Sequence, residues 1–371
     1  MSLIKQDYKN AILSTSLIPT ITGIKTASEL KRGDLLFDLS GKAVKVLDVN
    51  TLGIQDTYCV EFSDERKVYC GDIQPFYCVE HQYPNDPSTW NDISTEVLVR
   101  NTVGDLIKRV RNSSYKRNPV CIPLCAPVDY PSRKFILFPQ SIGLLLFLSS
   151  QSFVEKTIRI TPGYNPSLLK DAGWLIGYDL CTKKRGTIFD VLNRSTKEPA
   201  TLKDMGIEDI GDYKESILKE LKENYLYGSI GQRFVLIQGI MDCIGNIDMH
   251  GVFHTQILYE DSSFIDSFVS LLHSMGTPIT ITHLTQHVDG IKNGVIINLY
   301  TTPNNINRLF GHKPIYTVLH KRAYLVPLYQ FQTPCVQIKN ITKESNQHDM
   351  VGIIVDNEDN VFLGNDYIVL G

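Results

Sequence analysis

The residues best suited by type and spacing to do chemistry lie in a basic run. Residues 100–134 hold eight basic side chains, Arg100, Lys108, Arg109, Arg111, Lys116, Arg117, Arg133 and Lys134, against Asp105 and Asp129 alone. Such a run can neutralise phosphates, the contacts that give DNA binding its sequence-independent affinity. Lys108, Arg109, Arg111, Lys116 and Arg117 are therefore candidate DNA-binding residues; a solvated linker would carry the same charges and do no chemistry. The whole chain has a net charge of −3, so any basic surplus is local. Cys121 and Cys125 form a CxxxC pair, but no second pair stands at zinc-site spacing, and the cysteines read as buried, reduced thiols. His81 reads as a solvated loop histidine. Asp242 lies in a mostly apolar stretch, residues 233–243, and the mixed Lys/Glu stretch of residues 214–223 reads as a solvated face.

The elements that must position these residues change texture along the chain. The 371 residues suffice for two domains. Residues 16–24, 35–39, 43–49, 57–62 and 67–70 are β-branched, apolar or aromatic, with turns such as Arg32-Gly33-Asp34 and Ser40-Gly41-Lys42 between them, which predicts an all-β region. Residues 142–153, 166–177, 216–227, 233–243 and 263–274 have helical patterns. Strand patterns at residues 156–161, 187–192, 252–258, 278–283 and 295–300 are interleaved with them, so helix–strand–helix–strand occurs twice, the mark of a pseudo-twofold α/β domain. Strand texture returns at residues 315–319, 335–341, 350–355 and 361–369. An all-β domain split in sequence by an inserted α/β domain accounts for this order, because the ends of a domain usually lie close together.

Four stretches carry a resemblance to a known family. The first runs from Ala11 to Thr20 and on to Leu30-Lys31-Arg32-Gly33-Asp34. The second is Pro127-Val128-Asp129-Tyr130-Pro131, leading to Phe138 and Gly143. The third, residues 225–247, contains Ile237-Gln238-Gly239-Ile240-Met241-Asp242-Cys243-Ile244-Gly245. The fourth is residues 355–369. In this order the chain resembles an intein, a protein-splicing (Hint) domain of horseshoe shape interrupted by a LAGLIDADG, or DOD-type, homing-endonuclease domain. The resemblance implies a multidomain protein. Residues 1–10 would be a flanking segment or leader, residues 11–100 and 313–371 the two halves of the Hint domain, residues 101–134 a basic linker, and residues 135–312 the endonuclease-like domain.

The resemblance also implies where chemistry should occur, and the residues there are of the wrong type. Splicing needs a nucleophile, donors that polarise the scissile amide, and a terminal Asn that cyclises with help from a His. The nucleophile position matches Ala11, whose methyl group cannot attack. Gly71-Asp72-Ile73-Gln74 stands at the family's Thr-x-x-His, placing Gln74, which cannot titrate, at the His position. Asn360 stands at a common His position, Gly352 where many relatives have Cys, and the sequence reads Val369-Leu370-Gly371 where the family reads His-Asn. In the endonuclease helices, an acidic residue near each helix end would hold divalent metal; Leu148 and Ile244 match those positions. Asp242 matches an earlier, structural Asp of the motif and is the weak candidate for a metal ligand. Gly143, Gly239 and Gly245 keep the small residues through which the two helices approach.

The reading is therefore an intein-like protein inactive in both splicing and DNA cleavage. The alternative is an intein-derived, stand-alone DNA-binding or structural protein. No cofactor is expected; Mg²⁺ would serve an active relative, but its ligands are missing. Expected partners are double-stranded DNA and host segments flanking the intein, with no membrane, and two internal halves make a monomer sufficient. The longest apolar run, residues 142–148, is too short to cross a bilayer and the first residues do not form a signal peptide, so the expected location is the cytoplasm.

Overall fold

The computed structural model describes residues 10–82, 95–111, 119–152, 156–160, 179–182, 189–247, 253–258, 262–284, 294–299 and 334–371. The expected helix at residues 166–177 and strand at residues 315–319 lie outside the described residues. The chain divides into two compact units, one of residues 1–129, 273–280 and 327–371, the other of residues 130–272 and 281–326. Among the described residues, no helix is long and apolar enough to cross a membrane.

The first unit is mostly β. Numbering strands in chain order, it contains β1 (Ile12–Leu13), β2 (Leu17–Thr20), β3 (Gly23–Thr26), β4 (Leu35–Phe37), β5 (Ala43–Phe62), β6 (Lys67–Cys70), β7 (Pro75–Gln82), β8 (Thr95–Thr102) and β9 (Cys121–Pro123). After β10–β17 come β18 (Cys335–Val355), β19 (Phe362–Leu363) and β20 (Val369–Leu370). A ten-stranded sheet runs in the order β3-β2-β4-β5-β6-β1-β18-β9-β7-β8, with β5 also pairing β18. The start of β5 alternates strictly, Val44 and Val46 inward and Ala43, Lys45 and Leu47 outward, the period of two that a half-buried strand requires. Its polar middle sets it apart from the expected pair of short strands. Residues 43–62 form one strand because they pair antiparallel with β18 from Phe62↔Ile338 to Val46↔Val355, so partner backbone substitutes for a core. Ile12, Ile18, Leu36, Phe37, Phe62, Phe76 and Phe362 are fully buried in this unit.

Helix α1 (Val103–Arg111) follows β8 directly and β9 follows later, so the segment read as a basic linker carries regular structure. Thr102 and Asp105 start the helix reciprocally. The Thr102 N–H donates to the Asp105 carboxylate at 3.2 Å, and the Asp105 N–H donates to Thr102 Oγ1 at 3.3 Å.

The second unit is built on two helices, α2 (Gln140–Phe147) and α4 (Ile230–Ile244), with α3 (Tyr213–Glu223) between them in sequence; α5 (Ser262–Ser274) follows, its last two residues, His273 and Ser274, belonging to the first unit. Ser229 and Gln232 form a capping box at the start of α4. The chain leaves α2 into β10 (Ser149–Gln151) and β11 (Ile158–Ile160), and β12 (Asp179–Thr182) and β13 (Phe189–Leu192) complete a four-stranded sheet in the order β10-β11-β13-β12. It leaves α4 into β14 (Gly245–Ile247) and β15 (Phe253–Leu258), and β16 (Ile279–Leu284) and β17 (Gly294–Leu299) complete a second sheet in the order β14-β15-β17-β16. The two sheets thus repeat one strand order, each entered from a helix. The expected helix over residues 142–153 stops at Phe147, because Ser149–Gln151 pairs with Ile158–Ile160.

The helix pair is close because two glycines leave room. A Cβ on Gly143 would lie 2.4 Å from the Gly239 carbonyl carbon, and one on Gly239 would lie 2.2 Å from the Gln140 carbonyl oxygen. Backbone meets backbone at both points, and no side chain fits between.

Candidate functional site

The chain around Ala11 is fully buried at the centre of the first unit. Three elements hold it. The turn after β6 supplies Gly71 and Gln74: the Ala11 N–H donates to Gln74 Oε1 at 3.0 Å, and the Gly71 N–H donates to the Ala11 carbonyl at 2.9 Å. A Cβ added at Gly71 would lie 3.0 Å from the Ala11 methyl, so these two residues fill the space between β1 and the turn. The orientation of the Gln74 carboxamide is fixed by its other end, since Nε2 donates to the Pro75 carbonyl at 2.9 Å.

Strand β18 supplies the second wall through Ile353. Asn10 acts there as an extra piece of strand: its Nδ2 donates to the Ile353 carbonyl at 2.6 Å, and its Oδ1 accepts the Ile353 N–H at 2.8 Å. Asn360 supplies the third element. It sits at φ +56°, the left-handed region that Asn tolerates better than most residues. Its Nδ2 donates to the same Ile353 carbonyl at 3.1 Å, and its Oδ1 accepts the Val355 N–H at 2.8 Å. Gly371 is buried beside it, where a Cβ would come within 2.9 Å of the Asn360 carbonyl oxygen.

Ala11, Gln74, Asn360 and Gly371, far apart in sequence, are thus gathered around one stretch of β18. What they form is two sets of neutral amide hydrogen bonds, Gln74 on the main chain of Ala11 and Pro75, and Asn10 and the part-buried Asn360 on that of Ile353 and Val355. The neighbouring thiol of Cys70, which pairs with Ile12, is buried, and burial together with Cys59 pushes its pKa well above the usual thiol range. It is thereby kept protonated and a poor nucleophile. Asn10, which sequence reasoning set aside with the flanking segment, is the residue most tightly bound into the site. Nothing in its local pattern marks it, because its partner lies 343 residues away.

The second unit places Leu148 and Ile244 at the C-terminal ends of α2 and α4, both half-buried. Asp242 is buried in α4, and its carboxylate accepts from Gln140 Nε2 at 2.9 Å, which binds α4 to α2. Two aliphatic side chains offer no oxygen to a divalent cation, so the residues at these helix ends do not fit Mg²⁺. Among the described residues, no three His, Cys, Asp or Glu side chains converge in a way that could hold a metal.

Of the basic candidates, Lys108 is exposed on α1 and Arg111 ends that helix. Arg109 instead forms an ion pair with Glu80 at 2.5 Å and donates to Asn101 Oδ1 at 3.0 Å. Lys116 and Arg117 lie outside the described residues.

One further cluster in the first unit was not visible in the sequence. Arg66 donates from Nε to Asp64 Oδ2 at 2.9 Å and from Nη1 to the Asp366 carbonyl at 2.8 Å. His273 lies against this pair with Nε2 3.6 Å from Asp64 Oδ2, and all three side chains are almost wholly buried. Desolvation, with the Arg66 charge adding to it, holds the His273 pKa well below its ordinary value.

No family model matches the chain, and no curated protein matches it. Among solved structures, a substituted form of the gp41-1 intein is similar at 17% identity and a TM-score of 0.19, over 26% of this chain and 61% of that one. The gp41-1 intein itself is similar at 14% identity and a TM-score of 0.18, over 25% of this chain and 87% of that one. The MchDnaB-1 intein is similar at 19% identity and a TM-score of 0.18, over 24% of this chain and 83% of that one. These likenesses reach about a quarter of the chain and carry no argument about its activity.

Proposed function

We propose that the chain is an intein-like protein, a Hint splicing domain carrying an inserted LAGLIDADG-type endonuclease domain, and that it performs neither splicing nor DNA cleavage. The observation that carries the first half is the Ala11 N–H donated to Gln74 Oε1 at 3.0 Å. Breaking the peptide bond before Ala11 needs an attacking side chain and a proton delivered to that nitrogen. Ala11 has no attacking atom, and the residue facing the nitrogen is an acceptor. Asn360 satisfies main-chain groups of Ile353 and Val355, and Gly371 has no carboxamide with which to cyclise.

The repeated strand order and the glycine contact between α2 and α4 support the endonuclease half. Metal-assisted hydrolysis needs oxygen ligands, and Leu148 and Ile244 supply none. The partners that go with this reading are flanking host segments and double-stranded DNA. With Arg109 paired to Glu80, DNA binding falls to Lys108, Arg111, Lys116 and Arg117.

The test expresses the chain between two distinct tag proteins and incubates the purified product with duplex DNA and Mg²⁺ over a salt series. A single unspliced polypeptide that binds DNA in a salt-sensitive manner and leaves it intact is expected. Ligated tags would overturn the assignment of Ala11 and Gln74, cleavage that of Leu148 and Ile244, and absence of binding at low salt would remove DNA as a partner.

A further inference from the structure

The large sheet ends on β3 at one side and β8 at the other, and the two edges differ. Strand β3 has four residues, and its Lys25 is paired to Asp34 at 2.8 Å. A short, charged strand is one way in which a sheet blunts an edge. Strand β8, Thr95-Glu96-Val97-Leu98-Val99-Arg100-Asn101-Thr102, has eight residues and neither proline nor glycine. It pairs with β7 without a bulge from Pro75↔Thr102 to Gln82↔Thr95. Among the described residues, no strand pairs with its other side. A regular edge of this kind presents backbone N–H and C=O groups to a further strand.

One face of β8 is open as well. Leu98, opposite the buried Val79, is 46% exposed. Arg100, opposite Tyr77, is exposed, with its guanidinium 6.0 Å from the centre of that ring. Helix α1 lies against the other face, where Arg109 bonds to Asn101 and Glu80, residues of the opposite parity in the ladder.

The order of residues along β8 is complementary to itself. In an antiparallel pair of identical strands, related by a twofold axis normal to the sheet, facing residues have numbers of constant sum. Centred on Leu98, such a pair sets Leu98 opposite Leu98, Val97 opposite Val99, and Glu96 opposite Arg100, the last two pairings each occurring twice. Opposite charges directly across a ladder stabilise it, and like charges destabilise it. A two-residue slip loses the match. Centring on Val99 sets Arg100 against Leu98 and Glu96 against Thr102, and centring on Val97 sets Glu96 against Leu98.

We infer that β8 is a homotypic interface, the edge of one copy pairing antiparallel with the edge of a second copy about Leu98. The pairing joins two large sheets into one and satisfies the outer backbone groups of both strands. Two edges of this length bury less than the roughly 1,600 Å² of a standard interface, so the dimer forms and dissociates with concentration. The inference depends on the β7–β8 hairpin alone and stands apart from the splicing and endonuclease readings.

Sedimentation velocity of the full chain over a concentration series should show a monomer–dimer equilibrium. Arg100→Glu and Glu96→Arg each set like charges across the ladder twice, and each should weaken association by about tenfold or more. The double variant Glu96→Arg/Arg100→Glu restores both pairings and should return association to that of the native chain. Leu98→Cys should give a disulfide-linked dimer with oxidised glutathione, where the native chain gives none. Facing Cα atoms stand about 4.5–5.5 Å apart, within the reach of a disulfide. Circular dichroism checks that each variant folds. A monomer at every concentration, a dimer indifferent to the single charge changes, or a double variant no better than either single one would overturn the inference. Amide exchange distinguishes the other occupants: a monomer whose β8 amides are protected on the outer edge has another segment lying there, and that result also overturns it.

Discussion

Replacing Gly239 by Ala tests the packing on which the second unit rests. The added Cβ would lie 2.2 Å from the Gln140 carbonyl oxygen, 2.7 Å from its Cα and 2.8 Å from its carbonyl carbon. All three are backbone atoms, so no side chain can rotate away, and α2 and α4 must move apart by about 1 Å to restore ordinary contact. Overpacking of this kind costs about 1–3 kcal/mol. Separation also stretches the buried Gln140–Asp242 hydrogen bond, and weakening it adds a further cost of about 1–3 kcal/mol. Against this, Ala is favoured over Gly in a helix by about 1 kcal/mol. The net effect is a destabilisation of about 1–5 kcal/mol, a fall in Tm of roughly 2–20 °C for a unit of this size. Gly231→Ala is the control, because a Cβ there meets nothing within 4 Å in the same helix. It should leave stability unchanged or raise it by a few tenths of a kcal/mol. Urea and thermal unfolding of both variants measure the difference. A Gly239→Ala protein as stable as the Gly231→Ala protein would refute the backbone contact and the helix pairing derived from it.

Three further outcomes are expected. His273 is held neutral in the folded state while the unfolded chain titrates near its ordinary value. Its stabilising contribution is thus present above about pH 6.5 and is lost as pH falls toward the depressed folded pKa, by up to about 1.4 kcal/mol per pH unit; urea unfolding at pH values on both sides of 6.5, in the native chain and in His273→Leu, should show a decline that the variant lacks. Removing Arg66 leaves the buried Asp64 carboxylate without its guanidinium, so Arg66→Leu should cost about 3–5 kcal/mol in the same assay. Asn10→Ala frees the Ile353 N–H from its bond and should cost about 1–3 kcal/mol, visible also as faster amide exchange at Ile353.

Local pattern made much of the fold legible. Strand β6 falls on residues 67–70 as its apolar alternation predicts, and α4 and α5 follow their helical periodicity to within a few residues. Where the pattern failed, a partner outside the window had decided the structure. The polar centres of β5 and β18 look like turns until each is seen to supply the other's hydrogen bonds. Strand β7 begins at Pro75, a position where proline is tolerated, and lies outside the expected strands, yet it pairs over its whole length with β8.

The same division holds for the candidate site. Residue types alone determine that Ala11 cannot attack, that Gln74 cannot titrate, and that Leu148 and Ile244 cannot bind a cation, because these are properties of side-chain atoms. Only the tertiary structure decides which of them meet. Asn10 and Asn360 converge on one carbonyl of Ile353, and His273 is pressed against Asp64 and Arg66, although 207 residues separate it from Arg66. Such meetings are fixed by which strand ends and turns the core brings together, a sum over contacts distant in sequence that no local pattern records.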